Sequence, residues 1–216
     1  MFFRDKRVLT ITSQQDMLDI LNTRGNSEAQ YVPGETIQVF NKMQKDYSYT
    51  LQAPYGDRSE FAPDLTPPEI LMFGAFEGKY LNDCLLEFPR EWFLRAIALN
   101  KLSPQGADIN INCFKIKSRM PLSEWYKKGW VPSTHIAAQY PILSSDSNPD
   151  ERGWFQWYCR YYIGRRIPQI DRVQIQRYFA FRRHVGQIRA NCAPEDLTCR
   201  PRQRQALLQW AHNPFI

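Results

Sequence analysis

Apolar residues recur along this chain at two periods, and the place where one gives way to the other divides it. In the first third the spacing is mostly two. RVLTI (7–11) is β-prone, and Thr36, Ile37, Val39 and Phe40, then Tyr47, Tyr49, Thr50 and Leu51, alternate partially around the polar break NKMQKD. This pattern predicts strands near 7–11, 35–40 and 47–52, the last two forming a hairpin. Ser13, with Asp16 three residues on, marks a helix start before Met17, Ile20 and Leu21. The stretch APYGDRSEFAPDLTPPE (53–69) reads as a loop that ends where Thr66 can cap a helix opening on Pro67 and Pro68.

Beyond this loop the period is 3.6. Residues 70–88 and 90–100 read as helical, with Gly74 and Gly78 as weak points. Ile109, Ile111, Cys113 or Phe114, and Ile116 alternate and predict one more strand. PLSEWYKKGW (121–130) predicts a short helix capped by Ser123, and SSDSNPDERG (144–153) has the composition of a linker or loop. Three helices follow, near 149–164, 169–190 and 200–212, with Pro168 and Pro201 at starts where a missing N–H costs nothing. The expected fold class is α+β: a small β-containing portion (1–65), a mixed, mainly helical segment (66–143) and an arginine-rich helical unit (149–216) within one compact fold.

The segment GWFQWYCRYYIGRR (153–166) poses the sharpest question. On a helical wheel its six aromatic residues, Trp154, Phe155, Trp157, Tyr158, Tyr161 and Tyr162, share one arc of about 160°. Gln156, Arg160 and Ile163 lie opposite. An arc that wide is what a helix buries against a core, and this outweighs the alternative of an exposed stacking platform for bases.

Composition adds a core and a partner class. With 43% apolar residues the chain can bury a sizeable interior, no run is apolar enough to span a bilayer, and the first residues lack the apolar core of an export signal. Five cysteines at scattered spacings then point to reduced thiols and an intracellular, reducing compartment, cytoplasmic or nuclear. The net charge of +6 is concentrated in residues 151–216, which hold twelve arginines, no lysine and only four acids. Guanidinium groups offer a fork for phosphate and a flat face for rings, so an excess of this kind points to an anionic partner.

The leading expectation is therefore binding of a polyanion, nucleic acid or another phosphate-bearing ligand, through Arg165, Arg166, Arg182, Arg183, Arg200, Arg202 and Arg204. Three of these crowd the first turn of the last helix, against its dipole, where an anion would relieve the conflict. A second reading is an enzyme acting on a phosphorylated or nucleotide-like substrate. His184 and Arg177 would be its catalytic groups, and Tyr158, Tyr161 and Gln174 its pocket wall. A protein-interaction module is the third. His184, Cys192, Cys199 and His212 include a zinc ligand set, but their spacing argues against it, so no metal is expected. The sequence lacks G-x-S-x-G, H-E-x-x-H, P-loop and G-x-G-x-x-G motifs, and no cofactor is expected.

Overall fold

Helix α1 (Gln14–Arg24) begins as its sequence dictates: the Ser13 hydroxyl accepts from the Asp16 N–H at 3.0 Å, and the Asp16 carboxylate accepts from the Ser13 N–H at 2.9 Å. The computed structural model describes residues 9–216. Of the strand expected at 7–11, residues 7 and 8 lie outside the described residues, and 9–11 form no ladder. Strands β1 (Thr36–Val39) and β2 (Tyr47–Thr50) pair antiparallel, with Ile37 opposite Tyr49 and Val39 opposite Tyr47. Ile37, Val39 and Tyr49 point into the core, as the two-residue period requires.

The long helical run expected after residue 69 is interrupted where its glycines stand. Helix α2 (Pro67–Phe73) stops at Gly74, whose φ is +94° and whose absent side chain makes room for the Ile111 carbonyl oxygen, 1.9 Å from where a Cβ would lie. Tight turns carry the chain to α3 (Arg90–Ala98). The strand expected across 109–116 is also absent. Its backbone bonds to the turns instead, Cys113 N–H to the Gly74 carbonyl and Asp108 N–H to that of Glu77, so no ladder partner is offered. Helix α4 (Leu122–Lys127) starts directly after Pro121 rather than at Ser123, and α5 (Thr134–Gln139) is capped by Ser133.

The C-terminal third holds α6 (Trp154–Tyr162), α7 (Pro168–Phe181), α8 (Arg183–Asn191) and α9 (Pro201–Gln209). The single helix expected over 169–190 is thus two, broken at Arg182. The whole is an α+β fold with a two-stranded sheet and a helical remainder, around one core cluster that runs from Leu9 to Ala211 in sequence. Helix α6 crosses its centre. Trp154, Phe155, Trp157, Tyr158 and Tyr161 are buried, which answers the wheel's question in favour of core packing, and Gln156, Arg160 and Ile163 on the opposite side are buried too. No helix among the described residues is long and apolar enough to cross a membrane.

The cysteines correct one expectation. Cys192, at the end of α8, and Cys199, just before α9, form a disulfide that closes the intervening loop, whereas Cys84, Cys113 and Cys159 are free. Spacing could not reveal this, because the two helices bring the Cα atoms to 5.7 Å only by packing together. The reducing compartment inferred from scattered thiols loses this support.

Candidate functional site

The arginines expected to form one anion-binding surface divide into structural and exposed groups. Arg165 is almost wholly buried and forms a fork on Asp150 at 2.8 and 2.6 Å. Arg160 is buried beside it, bonded to Glu87 at 2.6 Å and Asp150 at 3.1 Å. Arg166 pairs with Asp57 at 2.8 Å and lies 3.8 Å above the Tyr161 ring. Arg204, also buried, donates to the carbonyls of Asp196, Cys199, Pro214 and Ile216. Arg165 and Arg204 are thus closed to an external ligand, because their donors are already spent on internal acceptors. Arg182, Arg183, Arg200 and Arg202 are exposed. The crowding expected at the start of α9 is relieved internally: Arg200 caps the helix and bonds Gln203, and Arg204 turns onto the carbonyls.

The suggested pocket wall is corrected as well. The Tyr158 hydroxyl donates to the Leu65 carbonyl, Tyr161 packs on Trp157, and Gln174 accepts from Arg177, all inside the core. Asp171, the partner imagined for Arg177, instead accepts from the Trp157 indole and the Ile167 N–H. Arg177 lies 5.4 Å from the Trp210 ring and donates to the Gly129 carbonyl, and burial holds its pKa down to about 10. The break at Arg182 separates these residues from His184, which faces a different space.

That space is a cleft of about 760 Å³, a volume suited to a small organic ligand. On one side it is walled by Phe76, Tyr80 and Phe155, with Phe76 stacked on Tyr80 at 4.4 Å and on Phe155 at 5.4 Å. On the other, Trp210 is stacked between Phe181 at 4.7 Å and Trp154 at 4.8 Å. Trp125 and Trp130 complete the aromatic lining. Gly153, with φ of +83°, lets the start of α6 lie against the Trp130 carbonyl oxygen, 2.1 Å from where a Cβ would stand.

Lys115, Lys117, Arg119, Arg152 and Arg202 line the same cleft, with His184, and the lining contains no carboxylate. Its polar loop is prearranged from below. The buried Glu77 carboxylate accepts from the N–H groups of Ser118 and Arg119 at 2.8 and 3.0 Å. The buried Asn112 amide holds the Ile116 carbonyl at 2.6 Å and the Ser118 hydroxyl at 2.9 Å. Arg152 is fixed through Asp83 at 2.7 Å, and the Tyr80 hydroxyl donates to its carbonyl. Three buried donor atoms of the lining, Arg119 Nη1, Trp125 Nε1 and Arg152 Nε, have no hydrogen-bond partner. Buried donors are ordinarily satisfied, so three in one cleft call for acceptors from a ligand or from water. His184 sits 4.5 Å from the Phe181 ring, its Nδ1 3.1 Å from both Gln187 Oε1 and Gln203 Nε2. Neither partner ionises, so no carboxylate and imidazole meet here as an acid–base pair.

Of the residues singled out from sequence, Arg202 and His184 reach the cleft. Lys115, Lys117, Arg119, Trp125, Trp130 and Arg152 were missed. The alternating cations of KIKSR (115–119) were visible, but apolar alternation there suggested a strand. Among the described residues no three His, Cys, Asp or Glu side chains gather as a metal site. No protein-family model, no curated protein and no solved structure matches the chain.

Proposed function

We propose that the cleft binds a phosphate-bearing ligand with a flat aromatic ring, the chemistry of a nucleotide unit. The observation that carries this reading is the composition of the lining: stacked aromatic faces, five cations, three unpartnered donors and no carboxylate. Ring faces accept a base by stacking, guanidinium groups grip phosphate oxygens with directed N–H bonds, and the lack of acids removes the repulsion that would exclude a dianion. The exposed Arg182, Arg183 and Arg200 remain available for further phosphate contacts. Binding is preferred to turnover because no acid–base pair converges on the cleft.

Titration of the full chain with adenosine monophosphate, followed by tryptophan fluorescence and calorimetry, tests this. Adenosine and inorganic phosphate, each half of the ligand, should bind more weakly than the whole at matched ionic strength. Arg119→Gln should weaken binding by about tenfold or more, the usual loss of a charge-assisted hydrogen bond, with little change in melting temperature because Nη1 has no internal partner. Equal responses to adenosine, phosphate and the nucleotide would overturn the proposal.

A further inference from the structure

The cleft opens onto a lip whose surface matches its lining. Residues 115–130, KIKSRMPLSEWYKKGW, hold five cations and one acid. Met120, Leu122, Tyr126 and Trp130 are exposed along it, each between 39% and 46%, and Lys115, Lys117, Lys127 and Lys128 are exposed beside them. Lys128 lies 5.6 Å from the Trp130 ring. Trp130 is both part of the cleft lining and exposed outside it, so the aromatic surface runs from the interior to the lip without a break. Glu124 offsets one lysine, Lys127, at 3.1 Å, and the others have no acid within the segment to pair with.

We infer that this lip tracks a single strand of nucleic acid whose terminal or unstacked base occupies the cleft. The inference rests on the nucleotide reading of the cleft and extends it to the neighbouring nucleotides. Cations interleaved with exposed rings bind unpaired strands because each base offers a π-face and each phosphate a charge. A base can enter a concave aromatic space only when it is free of its complement, which disfavours a duplex. A membrane surface fits less well. It would need apolar groups on both sides of the opening, yet α8, which brings His184 to the opposite rim, exposes Arg183, Gln187 and Arg189 and none of its large apolar side chains.

The test compares a mononucleotide, a trinucleotide and a hexanucleotide by calorimetry and anisotropy, using the full chain and the triple variant Tyr126→Ala, Lys127→Gln, Lys128→Gln. None of these three residues lines the cleft, and all are exposed. In the parent chain, affinity should rise with length, about tenfold for each further base that stacks. The triple variant should retain mononucleotide binding, lose the gain with length and show a salt dependence shallower by about 1.4 in log–log slope for two lost phosphate contacts.

Mononucleotide binding without a gain in length would overturn the strand-tracking lip and leave the cleft reading intact. Length-dependent binding without mononucleotide binding would overturn the cleft reading while retaining the lip, and no binding of either would end both. Equal or tighter binding of the duplex form, or cosedimentation with phosphatidylserine vesicles that the triple variant abolishes, would also overturn the proposed strand.

Discussion

Replacing Asp150 with asparagine should destabilise the protein more than any change at its charged surface, because this carboxylate is the acid that Arg165 bonds. Arg165 is 2% exposed and Asp150 fully buried, joined by two short bonds, and the only other contact of the guanidinium tip is the Tyr47 hydroxyl at 3.4 Å. Asparagine preserves the shape and one acceptor but leaves the buried cation without a counter-charge. Arg160 keeps Glu87 and is less affected. Breaking such a pair costs about 3–5 kcal/mol. In a chain of 216 residues each kcal/mol lowers the melting temperature by roughly 2–4 °C, so the expected fall is about 6–20 °C. Circular dichroism melts and urea titrations should agree, with an unchanged denaturant slope. Adding Arg165→Met should recover part of the loss by removing the orphaned charge. A fall of less than about 1 kcal/mol in the single variant would refute the reasoning, since Arg165 would then have to be solvated or otherwise paired.

Two further outcomes are expected. Reduction of the Cys192–Cys199 disulfide, or substitution of both residues by serine, should lower stability by about 2–3 kcal/mol from restored loop entropy over a sequence separation of 7; melts that do not change with added reductant would show that the bond is absent in solution. His212, stacked on Tyr178 at 4.0 Å with Nε2 donating to the Tyr178 carbonyl, has its pKa lowered by burial. The unfolded chain therefore takes up the proton first as pH falls, so the stability this residue contributes is complete above its ordinary value of 6.5 and is lost as pH drops through that value toward the lower, folded one. His212→Gln should flatten that part of the stability–pH curve, and an unchanged slope in urea titrations would show that the ring does not titrate below its ordinary range.

Local pattern alone determined several elements: the Ser13 cap and α1, the hairpin, the proline-led starts of α2, α7 and α9, and the burial of the α6 aromatics. Each depends on residues within a few positions of one another, where period and capping chemistry are visible in the chain. The ends of elements were less legible. Gly74 stops α2 because Ile111, far along the chain, needs the space, and the alternating residues at 109–116 form no strand because the turns before α3 take their backbone bonds.

The fate of each arginine belonged to the tertiary structure. Sequence composition told that residues 151–216 are rich in guanidinium groups, yet a guanidinium is free or spent according to which acceptor lies near it in space. Arg160 finds Glu87 from 73 positions away, Arg165 finds Asp150 in a stretch that reads as a linker, and Arg204 finds carbonyls of the last residues. The cleft likewise exists only because the loop at 115–121, α4, the start of α6, and α8 and α9 converge. Charge composition is a sum over the chain, whereas a binding site is a difference, the donors left over after the fold has satisfied its own acceptors.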